Sequence, residues 1–397
     1  MLASRRRLSK SALLIFKRAL INQSSLQNEL TTRLLPLTYD YLTPQPSHLL
    51  NLSLLDVLPS GIPSELLHNN GGDQRILPSI RQPGYLPPGH HLVYFPPQVT
   101  LSELLPDGTD ILHTPGQPFN RRLWAGGRIS FPQSSGGCLL LDGQRAVCVE
   151  RIENVDIKGP EGDEKILVTI DRRFASADED EDELHTRMRI ANDSTEVLVE
   201  KRTLVFMRDY KVKEATGAQQ AIQVNRNRIV KSPTDPDIDH KMTPTKALLF
   251  RFSALTFNAH SIHLDPLYAQ KSEGHHDLLI HGPLTLVLML SVLSKHLSEV
   301  GLRIKEFEYR NLAPLHVDEE LRICAKEKQN TAKGSRWEVW IEGPRGGLAV
   351  RGTAWTARSD KMDVFWAAPP ISRYFKNLLL LVCSVYADLT ISRETGL

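Results

Sequence analysis

Across 397 residues the chain is 41% hydrophobic and 24% charged, the composition of a folded protein with room for two domains, and it excludes disorder throughout. The formal net charge is +2, and six basic groups (Arg5, Arg6, Arg7, Lys10, Lys17, Arg18) precede the first acidic residue, Glu29; taking those six away leaves −4, so no basic patch points to nucleic acid. No apolar run approaches the roughly 20 residues a helix needs to cross a bilayer.

The leader is basic, acid-free and interleaved with Leu8, Leu13, Leu14, Ile15, Phe16 and Leu20, which is the composition of a mitochondrial transit peptide; a surface extension is the alternative. Residues 1–35 are therefore read as a removable leader. Leu42-Thr43-Pro44 then introduces a leucine-spaced stretch (Leu49, Leu50, Leu52, Leu54, Leu55, Val57) that predicts a helix ending before Pro59 and Gly61. A Gly- and Pro-rich loop leads to LPPGHHLVYFPP (Leu86 to Pro97) and NRRLWAGGRISF (Asn120 to Phe131). His90 and His91 read as polar residues in a Pro-rich surface loop. Strand-like alternation follows in Ala146 to Glu150, Lys165 to Ile170 and Glu196 to Met207. The acidic run Asp178 to Glu183 repels itself and reads as a solvated loop. Residues 211–244, with Pro233 and Pro236, read as a linker.

The segment FSALTFNAHSIHLDPLYAQKSEGHHDLLIHGPLTLVLML (Phe252 to Leu290) carries the chemistry. His263-Leu264-Asp265-Pro266 reads as a loop ending in an Asp cap, with Pro at the first position of a short helix. From Pro283 to Leu297 apolar residues fall on every side, the pattern of a helix buried on all faces. His281-Gly282-Pro283 opens it, and unpaired N–H groups there favour an oxyanion or a polarised carbonyl. LRIKEFEYR, EELRICAKE, RWEVWIEG and GLAVRGTAWTAR then show period-two patterning up to Arg358. The tail, 359–397, contains the short apolar run Leu378 to Val382 and is not assigned a structure. Cys138, Cys148, Cys324 and Cys383 show no CxxC spacing, and the histidines lack the i, i+4 spacing of HExxH; no disulfide framework, metal or cofactor is expected. Cys148 and Cys324 sit in strand-like runs as small buried residues.

Ser253, His263, Leu264, Asp265, Pro266, His281 and Gly282 match the pattern of the MaoC-like hydratase/dehydratase family, which this chain resembles. Asn258 stands where most of that family has Asp, and His260 where most have Asn. The string LLFRFSALTFNAHSIHLD is similar to the two-repeat branch of fungal hydroxyacyl-thioester dehydratases and mesaconyl-CoA-type hydratases, in which this variant is usual. The resemblance implies an α+β double hot-dog fold, each repeat an antiparallel sheet around a central helix. It implies a first repeat over 36–210 that has lost its catalytic dyad, and a second over 245–358 that holds the site.

Dehydrating a 3-hydroxyacyl thioester needs a group that moves the Cα proton, one that handles the 3-hydroxyl, and a donor to the thioester carbonyl. His263 is the matched residue able to carry a proton near neutral pH, Asn258 is expected to position the water or hydroxyl, and the Gly282 N–H to polarise the carbonyl. His281 and Ser253 are expected to shape substrate binding, with Arg121 and Arg122, and Arg128 nearby, as partners for any second carboxylate. The expected protein is a hydro-lyase of the mitochondrial matrix, interconverting (3R)-hydroxyacyl and trans-2-enoyl thioesters of coenzyme A or acyl carrier protein as in type II fatty-acid synthesis. Hydration of a short dicarboxylic thioester such as mesaconyl-CoA, and a non-catalytic acyl-thioester-binding protein, are the alternatives. One thioester per chain is expected, in a groove between the repeats. A homodimer is the assembly allowed for.

Overall fold

The computed structural model describes residues 23–58, 75–132, 138–192, 198–209, 230–331 and 334–358. Residues 1–22 of the leader and the tail 359–397 lie outside them. Ten strands form one antiparallel sheet: β1 (Thr38–Tyr41), β2 (Arg121–Ser130), β3 (Arg145–Lys158), β4 (Lys165–Ser176), β5 (Leu198–Met207), β6 (Ile238–Met242), β7 (Leu302–Asn311), β8 (Leu321–Thr331), β9 (Gly334–Glu342) and β10 (Leu348–Arg358). Their spatial order is β1-β3-β4-β5-β2-β7-β10-β9-β8-β6. Read inward from each edge, the two halves have the same sequence of strands: β1, β3, β4, β5, β2 on one side and β6, β8, β9, β10, β7 on the other. The repeats are therefore matched across an approximate two-fold at the β2–β7 junction.

Helix α1 (Gln23–Thr31) precedes β1, and α2 (Pro44–Leu54) and α3 (Glu183–Asn192) belong to the first half. The second half has α4 (Lys246–Leu255), α5 (Pro266–Lys271) and α6 (Gly282–Glu299). In α6, Leu284, Leu286, Val287, Leu288, Met289 and Leu290 have no exposed surface, as the all-round apolar pattern requires. Each contributes about 2 kcal/mol by burial, so tertiary packing against β2, β7, β8 and β9 holds this helix. No described helix is long and apolar enough to cross a membrane.

Both halves share the strand order, but they wrap different things. Helix α2 follows β1 as α4 follows β6, but among the described residues the first half has no counterpart of α6; a 3-10 turn at His90–Val93 lies between α2 and β2 instead. Prolines 87, 88, 96 and 97 bracket that turn and stop a helix from extending in either direction. Gly89, at φ +88, begins the turn, and a Cβ there would lie 3.2 Å from Leu290 of α6. His90 and His91 are not surface residues: they are 4% and 0% exposed. His90 Nδ1 lies 2.7 Å from Ser47 Oγ, a partner remote in sequence that offsets its burial, while His91 Nε2 faces Glu200 at 3.5 Å.

Three boundaries also differ from the sequence reading. Leu30 of α1 and Leu35, placed in the leader above, are buried beside Ile152, Val155 and Ile166. The last part of the segment read as linker is β6, paired with β8. Glu183–Asn192 is helical: the acidic run itself stays mostly exposed, but its Asp182 Oδ1 accepts the His185 N–H at 2.9 Å and caps α3.

The junction depends on missing side chains. At Gly126 (φ +147) a Cβ would lie 2.3 Å from the Tyr309 carbonyl oxygen. Gly126→Ala is expected to lower stability by about 2 kcal/mol or more in thermal unfolding. Gly116→Ala is the control: φ is +82 but nothing lies within 4 Å, so it carries the conformational cost alone, about 1 kcal/mol.

Candidate active site

The site is assembled from three short pieces of the second repeat. Thr245 caps α4, its Oγ1 accepting the Leu248 N–H at 3.2 Å; the helix carries Ser253 in its last turn, ends at Leu255 and is followed by Phe257 in the left-handed region at φ +51. The Asn258 N–H returns to the Ser253 carbonyl at 2.8 Å. Asn258 Oδ1 accepts the His260 N–H at 3.0 Å, so the amide N–H2 is the end of Asn258 left to donate. A 3-10 turn at Ser261–His263 then brings His263 inward, and Asp265 caps α5 by accepting the Leu267 and Tyr268 N–H groups at 2.8 and 3.2 Å.

His263 Nδ1 donates to the Leu279 carbonyl at 2.8 Å, which leaves Nε2 as the basic nitrogen. Burial, reinforced by Arg122 and opposed by the Leu279 carbonyl, pushes the imidazole down to about 4. The His281 ring stacks on it at 3.6 Å between centroids, and His281 Nε2 lies 2.8 Å from Ser253 Oγ. His281 and His260 are held well below the usual histidine range, chiefly by burial and then by His263. All three rings are therefore neutral at pH 7.

Gly282 opens α6, and its N–H has no partner within the helix. A Cβ on Gly282 would lie 2.9 Å from both Trp124 Cβ and Asn311 Nδ2, so only glycine lets the helix start approach β2 and β7 this closely. Asn311 Nδ2 donates to the Trp124 carbonyl at 2.9 Å, and Trp124 Nε1 to Tyr309 Oη at 2.7 Å.

Asn258, His263 and Gly282 border a cavity of about 910 Å³ that extends into the first repeat past Trp124, Tyr94 and Leu204. Ser253 and Arg122 also line it. Arg122 donates to Asp110 at 3.0 Å. Arg121 points to Glu273 instead, at 2.7 Å, and Arg128 pairs with Glu306 at 2.6 Å; neither lines the cavity. A buried charge network that the sequence reading missed forms the far wall. Arg172 pairs with Glu150, and with Glu200 at 3.1 Å; Arg202 reaches Glu200 at 2.6 Å and His113 reaches Glu150 at 3.2 Å. Burial opposes the charge on Glu150 and Glu200, but the Arg172 and Arg202 guanidiniums lead the interactions that outweigh it and keep both carboxyls below the usual range. Among the described residues one group could converge on a metal ion, His276, His316 and Glu319, whose ligand atoms lie within 4.8 Å of one another. His276 Nε2 and Glu319 are 2.9 Å apart, a hydrogen-bonded pair, and the chemistry below does not draw on them.

Matched halves joined edge to edge, with the site at their junction, make this a double hot-dog protein of the MaoC-like class. A solved MaoC-like dehydratase superposes with a TM-score of 0.53 at 13% identity, over 83% of this chain and 99% of its own. Another, from Phytophthora capsici, gives 0.51 at 12% identity, over 84% and 99%. The family model for hydroxyacyl-thioester dehydratase type 2 matches residues 89–317, and the chain belongs to that family. The mitochondrial hydroxyacyl-thioester dehydratase type 2 of Schizosaccharomyces pombe is 28% identical over 266 residues, 65% of this chain and 80% of the relative. The mesaconyl-C(4)-CoA hydratase of Chloroflexus aurantiacus is 31% identical over 270 residues, 68% and 82%.

The neutral histidines set an acid limit on the fold. Because their folded values lie below the unfolded 6.5, the unfolded chain takes up protons first; the stability is complete above about pH 6.5 and is lost as pH falls toward 4. For His263 alone the drop to about 4 corresponds to about 3 kcal/mol. Urea unfolding of His263→Gln is expected to show a pH slope between 6.5 and 4 that is shallower than wild type by nearly one proton.

Proposed function

We propose that this protein is a hydro-lyase that interconverts (3R)-hydroxyacyl and trans-2-enoyl thioesters in the mitochondrial matrix, as the dehydratase of type II fatty-acid synthesis. The observation that carries the reading is a neutral His263, oriented through Nδ1 by Leu279, on the wall of a large cavity that begins at a helix N-terminus. His263 Nε2 takes the C2 proton as the C3–O bond breaks and returns it to the departing hydroxyl, which leaves as water. The Asn258 amide donates to that hydroxyl. The Gly282 N–H donates to the thioester oxygen, where the enolate charge develops, with the helix dipole behind it. Ser253 acts on His281, and His281 on the face of His263.

The cavity favours an acyl chain over a short dicarboxylate. Arg122, Arg172 and Arg202 along its wall are each matched by Asp110, Glu150 or Glu200, so none of these arginines is left over to bind a second substrate carboxylate; among the described residues Lys165, an exposed side chain, is the other Lys or Arg lining the cavity. Arg121, tied to Glu273, does not offer one either. Mixing the purified protein with straight-chain enoyl thioesters and mesaconyl-CoA, and following loss of the conjugated double bond, separates these substrates; inertness toward all of them leaves the binding-protein reading.

His263→Ala is expected to lower kcat by roughly 100-fold or more. Asn258→Asp is expected to retain part of the activity and to move the acidic limb of the rate upward from near pH 4, because a carboxylate favours the imidazolium. Wild-type turnover in His263→Ala would remove the site from this motif.

For the leader, the packing of α1 supports cleavage before Leu30, since removing that residue would empty a fully buried place beside β3. N-terminal sequencing of protein recovered from mitochondria is expected to begin after roughly residue 20 and no later than Leu30; a start at Met1 counts against the leader, and a start beyond Leu30 against the packing argument.

A further inference from the structure

We infer that Asp107, from the first repeat, is a positioning residue of this site: it supplies, through His260, the negative charge that stabilises His263 once it carries a proton. The inference rests on the reaction proposed above. When His263 accepts a proton, an imidazolium forms in a buried place with Arg122 nearby and a neutral amide at Asn258, and that charge needs an anion.

The carboxylates around the site can be taken in turn. Asp110 is occupied by Arg122 at 3.0 Å, Glu273 by Arg121 at 2.7 Å, and Asp265 is exposed and caps α5. Asp107 differs. It is 6% exposed; its Oδ1 accepts the Thr109 N–H and hydroxyl at 2.9 and 2.7 Å, while its buried Oδ2 has no hydrogen-bond donor. His260 Nε2, also buried without a hydrogen-bond partner, lies 3.5 Å from that oxygen. Two complementary atoms, each otherwise unmatched, face one another across the boundary between the repeats. The His260 ring in turn meets His263 edge-on, at 5.6 Å and 84°.

The surrounding backbone holds this arrangement in place. The Asp107 carbonyl accepts the Ser261 N–H at 2.8 Å, at the start of the turn that carries His263. Gly108, at φ +83, lets the two loops touch: a Cβ would lie 2.1 Å from the Ala259 carbonyl oxygen. The His260 N–H is held by Asn258 Oδ1. Neutral His260 with its proton on Nε2 turns that N–H toward Asp107, 3.5 Å away, so the polarised ring and the carboxylate together favour positive charge at His263. The proton stays on His260, and Asp107 acts at a distance. Among the described residues, His281, Tyr268 and the Arg121–Glu273 and Arg122–Asp110 pairs also face this cluster.

The test is Asp107→Asn with enoyl-thioester hydration as the assay. The expected result is a kcat roughly tenfold lower with KM little changed and an acidic limb moved to lower pH, and partial rescue when Asn258→Asp is added. Unchanged kcat and pH profile in Asp107→Asn, alongside an inactive His263→Ala, overturns the role of Asp107 while leaving the site intact. An active His263→Ala instead overturns the underlying reading. Nitrogen NMR of the wild-type histidines covers the case in which the variant does not fold: Nε2-protonated His260 is expected, and the Nδ1-protonated form overturns the inference.

Discussion

Five residue pairs between β2 and β7, from Gly126–Arg310 to Ser130–Glu306, hold the molecule together as one sheet. Without that pairing each half would expose a strand edge, and the site would lose one wall. Trp124 lies just before the paired stretch of β2, and Asn311 just after that of β7. They bond to each other and pack around Gly282, so the start of α6 is positioned by the join between the repeats. A hydrogen-bonded pair contributes only about 1 kcal/mol net. The junction holds because these pairs are backed by buried Ile129, Phe307 and Tyr309, and because glycine lets the strands and the helix approach.

The repeats divide the work. The second contributes the turn, the helix start and His260, His263 and His281; the first contributes the rest of the cavity's lining and its charged wall. Three arginines facing three carboxylates, with Arg172 and Glu200 buried and the others half-buried, pair charge for charge along that wall, and desolvation leaves little net stability in such pairs. Their consequence is directional: removing one partner would strand a buried charge, so the wall is rigid and cannot readily turn an arginine toward a ligand.

The second repeat was legible in the sequence because its signals are local. Apolar residues on every side marked α6, and period-two patterning marked β7 to β10. Much of the first repeat was not. In β3 the register shifts between Ile152 and Asn154, so the inward positions change from even numbers (Cys148, Ile152) to odd (Val155), and the alternation that ends the strand's first half is lost. One signal was available and unused. Arg172 follows Ile166, Val168 and Ile170 at spacing two, and Glu200 falls in step with Leu198, Leu204 and Phe206, which puts both charges on the buried face. His90, His91 and Asp107 could not be found this way, because their partners lie in distant segments and no local period records them.

A histidine held near pH 4 is a weak base, which at first sight argues against proton abstraction from carbon. The empty-site value describes the imidazolium without a substrate beside it. In the proposed reaction the proton reaches His263 as negative charge develops on the thioester oxygen, so cation and anion appear together within one buried cavity. Their attraction is strong where water is excluded, and it raises the basicity of His263 only as the transition state is approached. A ground-state neutral ring also avoids a standing charge beside Arg122. The stacked His281 and the Leu279 carbonyl fix the ring without neutralising it, which leaves the charge balance of the transition state to the Gly282 N–H on one side and to Asp107, through His260, on the other.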